Sequence, residues 1–409
     1  MPGIGAGLEP YVGDVGILLR EYSITVYKFL LTGQVLTSDT SVEKFSLTTS
    51  RGFTRWLASV GGSLAFTTYQ AGKIFFLGVK PEGKLTVFER TFPRCMGLSV
   101  SADGQTLLLG THYQLYRFDN LLPHGARHGD YDAVYRPNQS WITGDLDIHD
   151  VDIDQNGLPI FVNTQFNCLA SVTTGYSFKP IWRPDFISDI VAEDRCHLNG
   201  MAVENGLPHY VTCISKSDVV DGWRDDRETG GMVIDVRDNR VVCEDLSMPH
   251  SPRLYKDKLW LLNSGTGEFG WIDIDQGEFH PLTFCPGYAR GLSFVGDYAI
   301  IGLSEARENK TFQGLALDEA LKTRNAMPRC GLLIVDINSG QSIEWVRLEG
   351  IVKELFDVTY IPNSQCPSAI GLKGSEILKI LSIDPAQYVI ESREVVRPRR
   401  IEPRVNMYI

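Results

Sequence analysis

The sequence has no Cys-x-x-Cys pair, no apolar run long enough to cross a bilayer, no excess of positive charge and almost no helix-period segments. Each lack excludes a class of function. The eight cysteines (Cys95, Cys168, Cys196, Cys213, Cys243, Cys285, Cys330, Cys366) lie scattered singly. That is the pattern of reduced, mostly buried thiols, and not of a disulfide framework or a zinc site. The most apolar early stretch, residues 24–36, is interrupted by Lys28 and is too short for a transmembrane helix. Lys+Arg 39 against Asp+Glu 50 leaves a net charge of -11. This argues against a nucleic-acid or anionic-membrane partner, since both need a basic face. At the N-terminus there is no basic segment, and Glu9, Asp14 and Glu21 stand where the apolar part of a secretory signal should be. Together with the single thiols, this makes the cytoplasm the expected compartment. Also missing are a Gly-rich phosphate loop, a nucleophile elbow and a zincin helix.

What is present is a repeated strand start. A polar cluster, a small or turn-prone residue and then alternating apolar positions recur at Arg94-Cys-Met-Gly-Leu-Ser-Val100, Ile148-His-Asp-Val-Asp-Ile153 and His197-Leu-Asn-Gly-Met-Ala-Val203. The pattern returns at His250-Ser-Pro-Arg-Leu-Tyr255, Ala289-Arg-Gly-Leu-Ser-Phe294 and Phe356-Asp-Val-Thr-Tyr360, with a weaker copy at Phe53-Thr-Arg-Trp-Leu-Ala-Ser59. The mean spacing is near the ~40–50 residues of a four-stranded blade. Asn-Gly and Asp-Gly turns at 103–104, 156–157 and 205–206 follow the starts, and these residues tolerate the positive φ of tight hairpins. The expected fold is therefore all-β: a β-propeller of four-stranded antiparallel blades, with seven blades favoured and six the alternative. Residues 51–383 would form the ring. Residues 1–50 would be an extension, with Lys44-Phe-Ser-Leu-Thr48 a candidate ring-closing strand, and residues 384–409 a locally basic tail, solvated or anion-binding.

Inner strands of a propeller start near its axis, so the polar residues at those starts share a centre. They are His149 and Asp150, His197 and Asn199, His250, Arg290 and Asp357, with Arg94, Cys95 and Arg253 nearby. Three long connections, at 121–144, 215–229 and 305–329, are expected to open on the same face, and long loops in compact domains are usually functional. Segment 305–329 is the expected lid, with Glu308, Asn309 or Phe312 reaching inward. A lone strand-start histidine is most simply a structural one; three on consecutive blades point at a common ligand. Imidazole plus carboxylate suits zinc, iron or manganese, whereas Asn199 and Asp357 would suit calcium. Arg290 reads either as a clamp for a carboxylate or phosphate or as the ion-pair partner of Asp150 or Asp357. His124 and His128 lie in a Gly-rich loop and read as solvated; His112, His209 and His280 read as structural. Trp56 and Trp223 are the two tryptophans placed to line the pocket.

At these residues the chain resembles a bacterial family of conserved hypothetical proteins, a domain of unknown function. The motifs are Arg55-Trp-Leu57, Ile148-His-Asp150, His197-Leu-Asn-Gly-Met-Ala202, His250-Ser-Pro-Arg253, Arg290-Gly-Leu292 and Arg307-Glu-Asn-Lys-Thr-Phe312, spanning roughly residues 50–375. That resemblance implies the fold and the site but no reaction. Asn199-Gly-Met-Ala202 is also similar to the strand starts of gluconolactonase- and paraoxonase-like propellers. There the asparagine binds a catalytic divalent metal; the histidines here depart from that oxygen-rich ligand set. The expectation is thus a metal-dependent enzyme, its reaction type open among hydrolysis, lyase and oxygen chemistry, acting on a small anionic molecule or a peptide side chain. His149, His197, Asn199 and His250 would be ligands, zinc, iron or manganese being favoured over calcium. Asp150 or Asp357 would supply a further ligand or base, and Arg290 the anion clamp. The alternative is a propeller that binds a protein partner or a small ligand without chemistry.

Overall fold

The computed structural model describes residues 17–20, 23–26, 45–305 and 314–383. Their strands assemble into six sheets arranged as the blades of one ring. Blade I runs from axis to rim as Val358–Ile361, Ser63–Thr68, Lys73–Val79 and Leu85–Thr91. Blade II is Leu98–Val100, Thr106–Gly110, Gln114–Asn120 and Ala133–Ile142; blade III is Ile148–Ile153, Pro159–Asn163, Cys168–Ser171 and Lys179–Trp182. Blade IV is Leu198–Glu204, Leu207–Cys213, Gly231–Asp235 and Val241–Leu246; blade V is Pro249–Tyr255, Lys258–Asn263, Glu268–Asp273 and Glu278–Phe284. Blade VI is Tyr288–Val295, Tyr298–Ser304, Cys330–Asp336 and Ser342–Glu349, continued outward by Phe45–Thr49, Ser23–Val26 and Ile17–Arg20. The innermost strands touch in sequence around the whole circle, so the ring is closed.

The blade count is six, not the favoured seven. Two of the seven strand starts collapse into one blade. Phe53–Ser59, read as a weak inner strand, is an α-helix (α1) whose Phe53, Trp56 and Leu57 are buried. Its 3–4 spacing of apolar residues suits a helical stripe and not the alternation of a strand. Blade I then takes its inner strand from the C-terminal part of the chain: Val358–Ile361 pairs antiparallel with 63–66. Phe45–Thr49 does not fill a gap in a last blade. It pairs with Ser342–Glu349 at the rim of blade VI. Pro367–Ala369 runs parallel to 133–135 at the rim of blade II. The 121–144 connection likewise contains the rim strand of blade II.

Burial follows the interfaces between blades. Each neighbouring pair encloses its own apolar cluster, such as Phe66, Phe75, Ile300 and Ile334 between blades I and VI, or Val162, Leu169, Val211 and Met232 between III and IV. All eight cysteines are buried and free. Among the described residues no helix is long and apolar enough to cross a membrane.

Near the axis the inner strands approach too closely for side chains in every blade. Asp357 of blade I accepts the amide of Leu98 in blade II, Asp150 of blade III that of Met201 in blade IV, and Ser251 of blade V that of Gly291 in blade VI. The even blades answer with glycine. Gly291 has φ +82, and a Cβ there would lie 2.8 Å from the Cα of Asp357. Glycine is required by both conformation and space.

Candidate functional site

Three inner strands, through His149, His250 and Arg290, and three segments leading into inner strands, through Arg94, His197 and Phe356, each deliver one side chain to the same end of the axis. Four of the chain segments entering inner strands bend through the left-handed region at a non-glycine residue: Arg94 (φ 51), Asp147 (φ 52), His197 (φ 51) and Met248 (φ 49). Such conformations cost about 1–2 kcal/mol per residue and persist where surrounding structure imposes them. In blades III and V the bend turns a carbonyl back onto the imidazole two residues later. His149 Nδ1 lies 2.9 Å from the carbonyl of Asp147, and His250 Nδ1 lies 2.7 Å from that of Met248. A carbonyl only accepts, so both histidines carry their proton on Nδ1 and leave the Nε2 lone pair for other partners.

His197 is held differently, by Asp194 Oδ2 at 2.7 Å from its Nδ1. The indole N–H of Trp223 donates to the same oxygen at 2.9 Å, and the indole stacks on the His197 ring with centroids 4.2 Å apart. His149 meets His197 edge to face at 4.9 Å and Phe356 at 5.2 Å. The guanidinium of Arg290 lies 4.3 Å over the Phe356 ring and donates to His250 Nε2 at 3.2 Å. Burial, then the charge of Arg290 and the neighbouring His197, hold the His149 pKa well below its ordinary value. It is a neutral imidazole at physiological pH. On the other flank Arg94 pairs with Asp147 and, at 3.0 Å, with Asp145, and lies over Tyr69. Burial raises the Asp147 pKa against the opposing charge of Arg94.

The two carboxylates expected to act as base or ligand sit elsewhere. Asp150 is engaged by Arg253 through both oxygens, at 2.7 and 3.2 Å, besides its bond to the Met201 amide. Arg253 also donates to the carbonyls of Met201 and Leu292. Asp357 accepts from Leu98 N and Val358 N. Burial, with the nearby Asp150, pushes its pKa up to about 7 against the pull of Arg253. These groups form a buried polar knot that ties blades together. Of the two readings of Arg290, the ion pair with Asp150 is not made; Arg253 takes that place. Asn199 accepts from Thr212 Oγ1 at 2.7 Å, and its Nδ2 has no partner among the described residues. Cys95 is fully buried, its thiol pushed up to about 12 by burial, so it is inert.

Met248, His250, Ser264, Tyr288, Arg290, Ser304, Glu305, Leu315 and Leu355 line a hollow beside this cluster. Leu315, at its wall, is the N-cap of helix α2, Ala316–Thr323. Of the expected lid, Glu308, Asn309 and Phe312 lie outside the described residues. Trp223 is at the site, as foreseen; Trp56 is not, being packed against Phe53 and Tyr298. His124 and His128 are exposed. Asp194, Asp147 and Phe356 were missed. An acidic residue two or three positions before a strand-start histidine was the available signal.

A divalent ion would need several of these donors at one point. Among the described residues no three His, Cys, Asp or Glu side chains form such a group. The Nε2 of His250 already accepts from Arg290, whose charge would oppose a second cation. The donor set fits an anion better than a dication.

Among solved structures the chain is similar to one from a nidogen/laminin complex, at 13% identity over 75% of this chain and 100% of that one, with a TM-score of 0.47. It is also similar to a virginiamycin B lyase from Staphylococcus aureus, at 11% identity over 74% and 99%, TM-score 0.34. A functionally unknown protein from Desulfotomaculum acetoxidans DSM 771 matches at 8% identity over 72% and 100%, TM-score 0.39. None of these likenesses bears on activity. No curated protein matches the sequence. A family model does match, over residues 51–370, which takes in all six blades: the chain belongs to the family described as a domain of unknown function (DUF4915).

Proposed function

We propose that the axial pocket performs acid–base chemistry on a small anionic molecule. His197 moves the proton at its Nε2, Asp194 fixes its tautomer and supports the imidazolium, and Arg290 holds the anion. The observation that carries this reading is the 2.7 Å contact between His197 Nδ1 and Asp194 Oδ2. An imidazole paired to a half-buried carboxylate through Nδ1 presents Nε2 as a base, the geometry that proton abstraction needs. The neutral His149, 4.9 Å from His197, offers a second Nε2 that could receive or return a proton. Arg290, stacked on Phe356, presents its donors in a fixed plane suited to a carboxylate or phosphate.

The test is proton exchange. Wild-type protein is incubated in D2O with a panel of hydroxy- and oxocarboxylates and phosphate esters, and deuterium incorporation is followed by proton NMR. Exchange at the carbon beside the anionic group is expected. His197→Gln and Asp194→Asn should each lower its rate about 10²–10⁴-fold, and Arg290→Met should weaken anion binding with the fold intact. Binding without exchange, or exchange that survives His197→Gln, sinks the reading in favour of a non-catalytic ligand-binding propeller. The expected zinc, iron or manganese is decided separately. Elemental analysis of protein purified without an affinity tag, together with a His149→Ala/His197→Ala variant, would revive the metal reading if one ion per chain were found and lost on substitution.

A further inference from the structure

Blade IV does not hold the dyad alone. Trp223 lies in the connection between the second and third strands of that blade, on a short 3-10 turn, Gly222–Arg224. The connection is pinned to the segment before His197: Asp221 N donates to Asp194 O, Trp223 N to Arg195 O, and Arg195 Nη1 to Asp218 at 2.6 Å. One part of the indole therefore contacts the dyad, through its N–H on Asp194 and its stacking on His197. Trp223 as a whole is only 2% exposed and belongs to one apolar cluster with Ile214, Met248, Tyr288, Leu315, Leu317 and Leu321. The last three belong to α2 and the residue before it, which come from blade VI. That helix is seated by Leu317 N on the carbonyl of Gly265 and by Tyr288 Oη on Asp318.

A single side chain thus joins the helix beside the pocket to the carboxylate that orients the imidazole. The helix is short and amphipathic, with Leu317 and Leu321 buried on one face. At this length it has little stability of its own and depends on docking. We propose that Trp223 is a latch: the docked α2 holds the indole, and the indole holds Asp194 and His197 in line, so the dyad is aligned only while the helix is seated. This rests on the acid–base reading of that dyad. Trp223 is accordingly a positioning residue, and undocking of α2 would both open the pocket and disable the base. Coupling of this kind keeps a reactive site inactive when open to water.

Two readouts on the full-length protein test it without any substrate. One is the far-downfield NMR resonance of the His197 Nδ1 proton, assigned by its loss in His197→Gln. The other is amide hydrogen exchange across residues 314–329. Trp223→Phe keeps the stacking ring and removes the N–H, and should shift or broaden the resonance. Leu321→Ser, in a helix residue that has no hydrogen bond to the dyad, should raise exchange over 314–329 about tenfold and broaden the same resonance. Leu321→Ala serves as the milder variant if the serine form does not fold. Should Leu321→Ser loosen the helix and leave the His197 proton unchanged, or fail to loosen the helix, the latch is overturned; an unchanged resonance in Trp223→Phe overturns it as well. Failure of the acid–base reading shows instead as turnover that survives His197→Gln, an outcome independent of these signals.

Discussion

At the scale of single residues, the site depends on which atoms are already committed. Asp150 and Asp357 carry the right chemistry for a base, yet their oxygens are spent on Arg253 and on amides of neighbouring blades. Removing one partner of a buried ion pair strands the other charge. Asp150→Ala is therefore expected to lower unfolding stability by about 3–5 kcal/mol, measurable by urea titration, with the pocket histidines intact. A deficit under 1 kcal/mol would mean Arg253 is served by its carbonyl contacts alone. Asp357 supplies a pH signature. Its carboxyl is raised from roughly 4 in an unfolded chain to about 7 in the fold. The folded state then binds the extra proton between those values, so this contribution to stability is complete below about pH 4 and is lost as pH rises through about 7. Asp357→Asn should flatten that decline in melting temperature between pH 5 and 8. An unchanged slope would place the titration on another group.

At the scale of elements, the entries to the inner strands decide what each blade contributes. The left-handed bends at Asp147 and Met248 are what aim carbonyls at His149 and His250. A histidine two residues after a bend is visible in the sequence; the bend is not, since methionine does not favour positive φ and aspartate, though enriched there, adopts it in only a minority of its positions. The strands themselves pack through alternating polar and glycine positions around the axis. Gly291→Ala would place a methyl against Asp357 in a conformation that disfavours it. A loss of about 2–4 kcal/mol is expected from strain plus overpacking, read as a lower melting temperature. Gly83, with positive φ but open space around it, is the control, and its alanine variant should lose about 1–2 kcal/mol from conformation alone.

At the scale of the whole molecule, the ring is closed by a strand from the far end of the chain. Val358–Ile361 supplies the axis-side strand of a blade whose other strands span 63–91. That closure gives the two ends of the ring one shared core, in which Phe66 and Val358 belong to the same cluster. A chain ending at residue 357 should lose cooperative unfolding and expose an unpaired edge on 63–68, with aggregation as the visible result. A monomeric, cooperatively melting truncated form would show that blade I stands without its inner strand.

The all-β architecture, the strand starts and the residue types at the axis could be read from the sequence alone. Alternation and Asn-Gly or Asp-Gly turns are local, and a repeat declares itself by spacing. The number of blades could not, because Phe53–Ser59 and the Phe356 segment look like two starts until one becomes a helix and the other pairs across some 290 residues. The partners of the polar residues also lay beyond reach. Whether Asp150 meets a ligand or Arg253, and whether His197 is oriented by Asp194 and Trp223, depends on contacts between blades and between long loops. Sequence spacing sets which side chains arrive at the axis; only tertiary packing decides which of their atoms remain available there.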